Sequence, residues 1–203
     1  MSFYAEVWKV MIASPKDVAA ERQVIREAIN DWNAANSEQD DDRSVVLLPV
    51  SSETNATPEM GDRPQAILNR QILKECDLLV AVFWTRLGSP TGVAPSGTVE
   101  EIQKHLSSHK HAMIYFSNAP VPPNAIDPDQ YHALMQFRKE CFQHGLCDSY
   151  ESVPDFRAKF SRHLATIMNA ELRRSRELSR QMDEERDSAG VFGRIDKIEN
   201  DEV

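Results

Sequence analysis

The chain has 203 residues, enough for one domain with a sizeable core, and its 41% hydrophobic and 27% charged content marks a packed globular protein rather than a disordered one. A net charge of -9 speaks against a nucleic-acid binder, which offers phosphates a basic face. Three cysteines without a CxxC pair indicate neither a disulfide framework nor a zinc site and suit a reducing cytoplasm; with no leader pattern in the opening residues and no apolar run near ~18 residues, neither export nor a membrane span is expected.

In chain order, Val7 to Ala13 reads as a short strand. Ser14-Pro15-Lys16-Asp17 follows, where a serine N-cap, a proline at the first helical position and an acid at the third predict a helix start. That helix runs to about Asn36 with Val18, Val24, Ile25, Ala28, Ile29 and Trp32 on its inward side. Ser37 to Arg43 reads as a solvated loop and Val45 to Val50 as a second strand, apolar on both faces as buried parallel strands are. Ser51 to Asp62 is a long loop after a strand, hence a candidate binding loop. Arg63 to Glu75 is predicted helical, and Cys76 to Trp84, the most apolar run, is the central strand. A glycine- and proline-rich loop leads to a helix from Gly97 to Ser108, a fourth strand at Ala112 to Phe116, and a helix from Asp129 to His144 capped by Gly145. Cys147 to Glu151 is a short edge strand, and a helix from Pro154 extends into the charged stretch Arg173 to Arg186, ahead of a frayed tail from Asp187. Sustained strand-helix alternation predicts a three-layer, doubly wound α/β fold with a mostly parallel five-stranded sheet of flavodoxin-like order 2-1-3-4-5. Residues 1–170 form its domain, and 171–203 form a charged helix and tail.

Ligands of such sheets bind outside the carboxyl ends of the strands, which places Ser14, Asp17, Glu53, Thr54, the run Trp84-Thr85-Arg86-Leu87-Gly88, and Ser117 around the crevice. Generic nucleotide, metalloprotease and hydrolase motifs are missing. Trp84 can stack a base, Arg86 can meet phosphate, and Gly88 lets backbone approach a ligand; the competing reading makes Trp84 a core cap and Arg86 a surface ion partner. Ser96-Gly97-Thr98-Val99-Glu100-Glu101 opens a helix at the same edge. Glu100 reads as a solvated pair with Lys104, and Glu101 either faces the cleft or closes a capping box on Thr98.

Ser14-Pro15-Lys16-Asp17-Val18 with Glu21-Arg22, Arg63-Pro64-Gln65, Cys76-Asp77-Leu78-Leu79-Val80, the Trp84 to Gly88 run and Ser96-Gly97-Thr98 with Glu101 together resemble a bacterial family of unknown function that is classed as TIR-like and accompanies signalling or phage-defence modules. The resemblance spans about Val7 to Leu164. Its wider relatives are TIR domains that hydrolyse NAD and nucleoside 2-deoxyribosyltransferases. It implies Glu101 as the catalytic carboxylate and Asp77 as a partner acid; with the crevice reading, Ser14, Asp17, Trp84, Arg86, Gly88, Ser96 and Thr98 are the expected substrate-binding residues. It also implies a nucleotide substrate with no cofactor or metal, and a cytoplasmic protein that self-associates on activation.

Cleavage of the nicotinamide-ribose bond passes through an oxocarbenium-like state that a carboxylate stabilises, and nicotinamide departs neutral without a general acid. Deoxyribosyl transfer instead needs an acid to protonate its base. A non-catalytic module that senses a nucleotide or docks a protein partner is the remaining alternative. His105, His109 and His111 read as helix-end residues rather than metal ligands, and Arg173, Arg174, Arg176 and Arg180, interspersed with acids, as a solvated helix face.

Overall fold

The computed structural model describes residues 4–36 and 44–199, with side chains described through 182 except at 176, 178 and 179. The expected loop Ser37 to Arg43 lies outside these residues. Five strands, β1 (Ala5–Ala13), β2 (Ser44–Val50), β3 (Leu78–Phe83), β4 (His111–Ser117) and β5 (Asp148–Tyr150), form one sheet of order β2-β1-β3-β4-β5. Every pairing is parallel. All six residues of β3 are buried, as its unbroken apolar sequence requires of a strand flanked on both edges and both faces. β1 is different: β3 joins it only from Val10 onward, so Ala5 to Lys9 pair with β2 alone and remain partly exposed.

The helices are α1 (Ala19–Asn36), α2 (Ser52–Asn55), α3 (Pro64–Gln71), α4 (Gly97–Ser107), α5 (Pro128–His144) and α6 (Val153–Glu199), with a 3-10 turn at Leu73–Glu75 after α3. One face of the sheet, carrying Met11, Ala13, Leu79, Ala81, Phe83 and Phe116, packs with Ile72 and Leu73 beside α3, Val99 and Ile102 of α4, and Leu134 of α5. Alternation along β4 turns Tyr115 to the other face, where its ring meets Phe156 edge-on with centroids 5.2 Å apart. Val24, Ile25, Ala28, Ile29 and Trp32 form the buried side of α1. Asn33 of α1 both donates to and accepts from the backbone of Leu47, at 2.8 Å each way, satisfying groups on the sheet's edge strand. This is the three-layer, doubly wound arrangement, with a long C-terminal helix.

Three boundaries differ from expectation. α1 begins at Ala19 rather than at Pro15, because Ser14 to Val18 are held as a turn. Arg22 reaches back to the Pro15 carbonyl at 2.8 Å and to Ser14 Oγ at 3.4 Å, and Asp17 is drawn toward β3. The expected loop after β2 contains the short α2. α6 continues to Glu199, through the stretch read as a frayed tail. The chain divides into two compact units, Met1–Ser161 and Arg162–Val203. Among the described residues no helix is long and apolar enough to cross a membrane.

Candidate functional site

At the carboxyl ends of β1 and β3 the chain leaves in opposite directions, to α1 and β2 on one side and to α4 and β4 on the other, and a crevice opens between the departing loops. It is a cleft of about 670 Å³. Ser14, Lys16 and Asp17 line it from the loop after β1, Glu53 from α2, Gln65 and Leu68 from α3, Arg86 and Gly88 from the loop after β3, and Thr98 and Glu101 from α4. Seven of these, Ser14, Asp17, Glu53, Arg86, Gly88, Thr98 and Glu101, belong to the set expected from sequence.

Glu101 is the deepest ionisable group of the cleft, only 6% exposed. Its Oε1 accepts one hydrogen bond, from Gln65 Nε2 at 2.9 Å. The capping box does not form. Ser96 is the N-cap of α4, its Oγ accepting from the Val99 amide at 3.2 Å, so Glu101 lies beyond the first turn and its carboxyl is engaged by α3 instead of by Thr98. Burial pushes the Glu101 carboxyl up to about 7, the Gln65 bond opposing this and the neighbouring Glu100 charge adding to it. Gly97 makes the clamp feasible, since a Cβ there would lie 2.5 Å from Gln65 Oε1.

Glu100 is also buried, at 3% exposure, contrary to its expected place on a solvated face. It accepts from Thr91 Oγ1 at 2.6 Å and Asn69 Nδ2 at 2.9 Å and pairs with Lys104 at 3.0 Å and Arg63 at 3.5 Å. Burial alone would raise its pKa; the bonds from Thr91, Lys104 and Arg63 outweigh that and bring it down to about 2. Glu100 is thus a fixed anion tying α4 to α3 and to the loop after β3.

The loops are pinned by further polar contacts. Asp17 Oδ2 accepts from the amide and hydroxyl of Thr85, at 2.9 and 2.8 Å, joining the turns after β1 and β3; its Oδ1 is buried without a partner among the described residues. Gly88, at φ 106, donates its amide to Gln130 Oε1 at 2.9 Å, and a Cβ there would press on Ser96 Cβ at 3.2 Å. Ser96 itself is fully buried as the cap of α4. Arg86 is about half exposed and lies 3.6 Å from Asp127. Glu53 pairs with Arg22 at 3.3 Å.

Other expected residues are not brought together. Trp84 is not among the residues that line the cleft, and its indole N–H donates to the Ala119 carbonyl at 3.1 Å. Asp77 lies at the opposite, amino end of β3, where its carboxylate accepts from the Lys9 amide at 2.8 Å and its own amide bonds the Lys9 carbonyl. It cannot partner Glu101. Ser117 Oγ accepts from the Ala119 amide at 3.2 Å, and Ser96 performs a structural task rather than touching a ligand. His105 is buried, Nε2 3.0 Å from the His111 carbonyl, and burial lowers its pKa. Among the described residues no three metal-ligating side chains cluster. The sequence reading gave no site role to Gln65 and Lys16, which it met only as motif residues, and passed over Asn69 and Thr91. The signal for Gln65 and Asn69 was a pair of amide side chains four apart on a helix, one turn of the same face, directly after Arg63-Pro64.

No curated protein matches the chain significantly. Solved structures of similar outline include translation elongation factor SelB from Methanococcus maripaludis in its apo form (9% identity, 82% of this chain and 37% of that one, TM-score 0.45). Others are oxidised flavodoxin 1 from Bacillus cereus (14%, 79% and 98%, 0.38) and Era from Aquifex aeolicus bound to GDP and AlF4- (12%, 81% and 56%, 0.39). This chain spans little more than a third of the elongation factor's length. A family profile described as "Domain of unknown function (DUF4062)" matches residues 9–165, and the chain belongs to that family.

Proposed function

We propose that the cleft cleaves the N-glycosidic bond of NAD or a related nucleotide, with Glu101 as the catalytic carboxylate. The observation that carries this reading is a buried carboxyl at the floor of a sheet-end crevice, aimed by one side chain, Gln65, and beside the cations Lys16 and Arg86. As the bond to the cationic pyridinium lengthens, positive charge passes to the sugar carbon, and ionised Glu101 stabilises it while nicotinamide leaves neutral and water adds at that carbon, releasing its proton to solvent. Arg86 and Lys16 hold the phosphates. Ile12, Pro15 and Leu68 supply the apolar wall for the base, in place of Trp84. The TIR-like kinship, a cytoplasmic setting, service in bacterial signalling or phage defence, self-association on activation and docking of a protein partner all belong to this proposal.

A specific observation favours a second reading. With its carboxyl pushed up to about 7, Glu101 carries a proton over much of the neutral range and could protonate a departing purine or pyrimidine, as a nucleoside deoxyribosyltransferase requires. The two predict opposite pH profiles: hydrolysis by the anion rises with pH through about 7, whereas proton donation falls through it. The test is nicotinamide release from NAD, at high protein concentration with a crowding agent, by wild type and Glu101→Gln. Release by wild type that the substitution abolishes supports the first reading. Base exchange between deoxynucleosides without loss of NAD supports the second, and neither activity from folded protein returns the site to a sensing or docking module.

A further inference from the structure

Toward the opposite end of the sheet, where α3 gives way to its 3-10 turn and α4 runs into β4, lies a second hollow of about 370 Å³. Four cations border it, Arg70, Lys74, Lys104 and Lys110, in a chain whose net charge is -9. Arg70 shares its charge with Glu59 and Asp62, at 2.5 and 3.6 Å, and Lys104 shares its charge with Glu100. Among the described residues Lys74 and Lys110 form no ion pair with a carboxylate. Lys110 is nevertheless fixed in place, its ammonium donating to the Lys74 carbonyl at 3.1 Å and the Cys76 carbonyl at 2.7 Å, which orients the charge without neutralising it. The end of α4 does not consume these cations either. Its last carbonyls receive the Ser107 and Ser108 hydroxyls and the Ser108 and His109 amides.

The hollow also adjoins the cleft's machinery. Asn69 lines it and bonds both Glu100, at 2.9 Å, and Gln65, at 3.3 Å, the residue that clamps Glu101; Lys104 lines it and pairs with Glu100. An anion in the hollow would compete for Lys104 and leave the Glu100 charge less compensated, one residue from Glu101.

We propose that this hollow is a binding site for a small molecule carrying a phosphate or diphosphate, held by Lys74, Lys104 and Lys110, and that its occupancy is relayed to Glu101 through Asn69 and Glu100. Concavity and size suit a small phosphorylated ligand rather than a polymer. Binding stands independently of the glycosidic reading; only its consequence for turnover rests on that reading.

The probe is inorganic pyrophosphate, titrated into the 15N-labelled chain while amide resonances are followed. Saturable shifts are expected at Lys74 and Lys104 to Lys110, with smaller ones at Gln65 and Glu101. Lys74→Ala, which removes a side chain without a hydrogen bond or ion pair among the described residues, and Lys110→Ala are each expected to weaken binding about tenfold, while Arg86→Ala leaves it unchanged. If Lys110→Ala does not fold, Lys74→Ala carries the comparison. Shifts confined to Lys16, Gly88 and Thr98 and removed by Arg86→Ala would place the anion in the cleft and overturn the proposal. So would the absence of any saturable shift up to ~10 mM, a concentration at which even a ligand worth only about 3 kcal/mol would register.

Discussion

Replacing Glu101 by glutamine separates the electrostatic cost of this buried carboxyl from its shape. The substituted amide would fill the same volume and still accept from Gln65 Nε2, but it cannot ionise. The wild-type carboxyl is raised from an ordinary 4.5 to about 7, so the folded state holds its proton more tightly than the unfolded state does. Below the unfolded value both states are protonated and nothing is lost. As pH rises toward about 7 the unfolded chain ionises first and stability falls; above it, the full cost is present. At about 1.4 kcal/mol per pH unit, the rise from 4.5 to about 7 corresponds to about 3 kcal/mol. Urea denaturation followed by tryptophan fluorescence reads this directly, since Trp8, Trp32 and Trp84 all lie in the first unit. Glu101→Gln is expected to match wild type near pH ~4 and to exceed it by up to about 3 kcal/mol near pH ~8. A difference that stays flat across that range, or grows toward acid, would refute the burial argument for Glu101 and with it the pH profiles drawn for the site.

Further expectations follow from neighbouring contacts. Gly97→Ala would drive a Cβ into Gln65 Oε1, now only 2.5 Å from that position, and strip Glu101 of its donor; carboxyl NMR should show the Glu101 pKa rising by roughly one further unit with little change in melting temperature. Glu100→Ala removes the acceptor for Thr91 and Asn69 and the partner of Lys104 and Arg63, for a loss of about 2 to 3 kcal/mol by urea denaturation at neutral pH. The Glu100 carboxyl is held down at about 2, so its contribution is present above the ordinary 4.5 and disappears as pH falls toward about 2. Asp77→Ala should cost about 1 kcal/mol through the lost bond to the Lys9 amide and leave nicotinamide release intact, and Trp84→Phe should leave KM intact; a collapse of turnover in either would return that residue to the site.

The fold was legible where the physics is local or periodic. An unbroken apolar run too short for a buried helix reads as a strand buried on both faces, which puts β3 at the centre, and alternation of strands with amphipathic helices then leaves few topologies. The start of α1 was not legible, because the groups that hold Ser14 to Val18 off the helix are an arginine two turns ahead and a threonine 68 residues away. In the site, the glycine-threonine turn pointed to Glu101 because a helix start and its acid are neighbours in sequence. Its partner Gln65 is 36 residues distant, and no spacing rule reports such a contact. Asp77 failed for a simpler reason: it precedes β3, whose rise puts its two ends roughly 20 Å apart, so an acid there cannot reach a cleft beyond the strand's carboxyl end. Trp84 stands at the right end of β3, but its indole turns to the Ala119 carbonyl, 35 residues on, a contact that spacing does not report.

The pair Glu100 and Glu101 shows how one helix can give consecutive identical residues opposite properties. Successive positions on α4 point about 100° apart, so one carboxylate turns into a set of four donors offered by α3, by the loop after β3 and by its own helix, while the other turns into the cleft with a single amide for company. One is held at about 2 and the other pushed to about 7. Environments that drive two neighbouring carboxyls this far apart are how protein sites assign a permanent anion and a proton-exchanging group to different tasks. Because the Glu100 charge itself helps raise the Glu101 pKa, whatever screens or exposes Glu100 adjusts the protonation of Glu101 in the same direction as its own effective charge. Lys104 and Arg63 line no part of the cleft, yet both pair with the charge that helps to raise the Glu101 pKa.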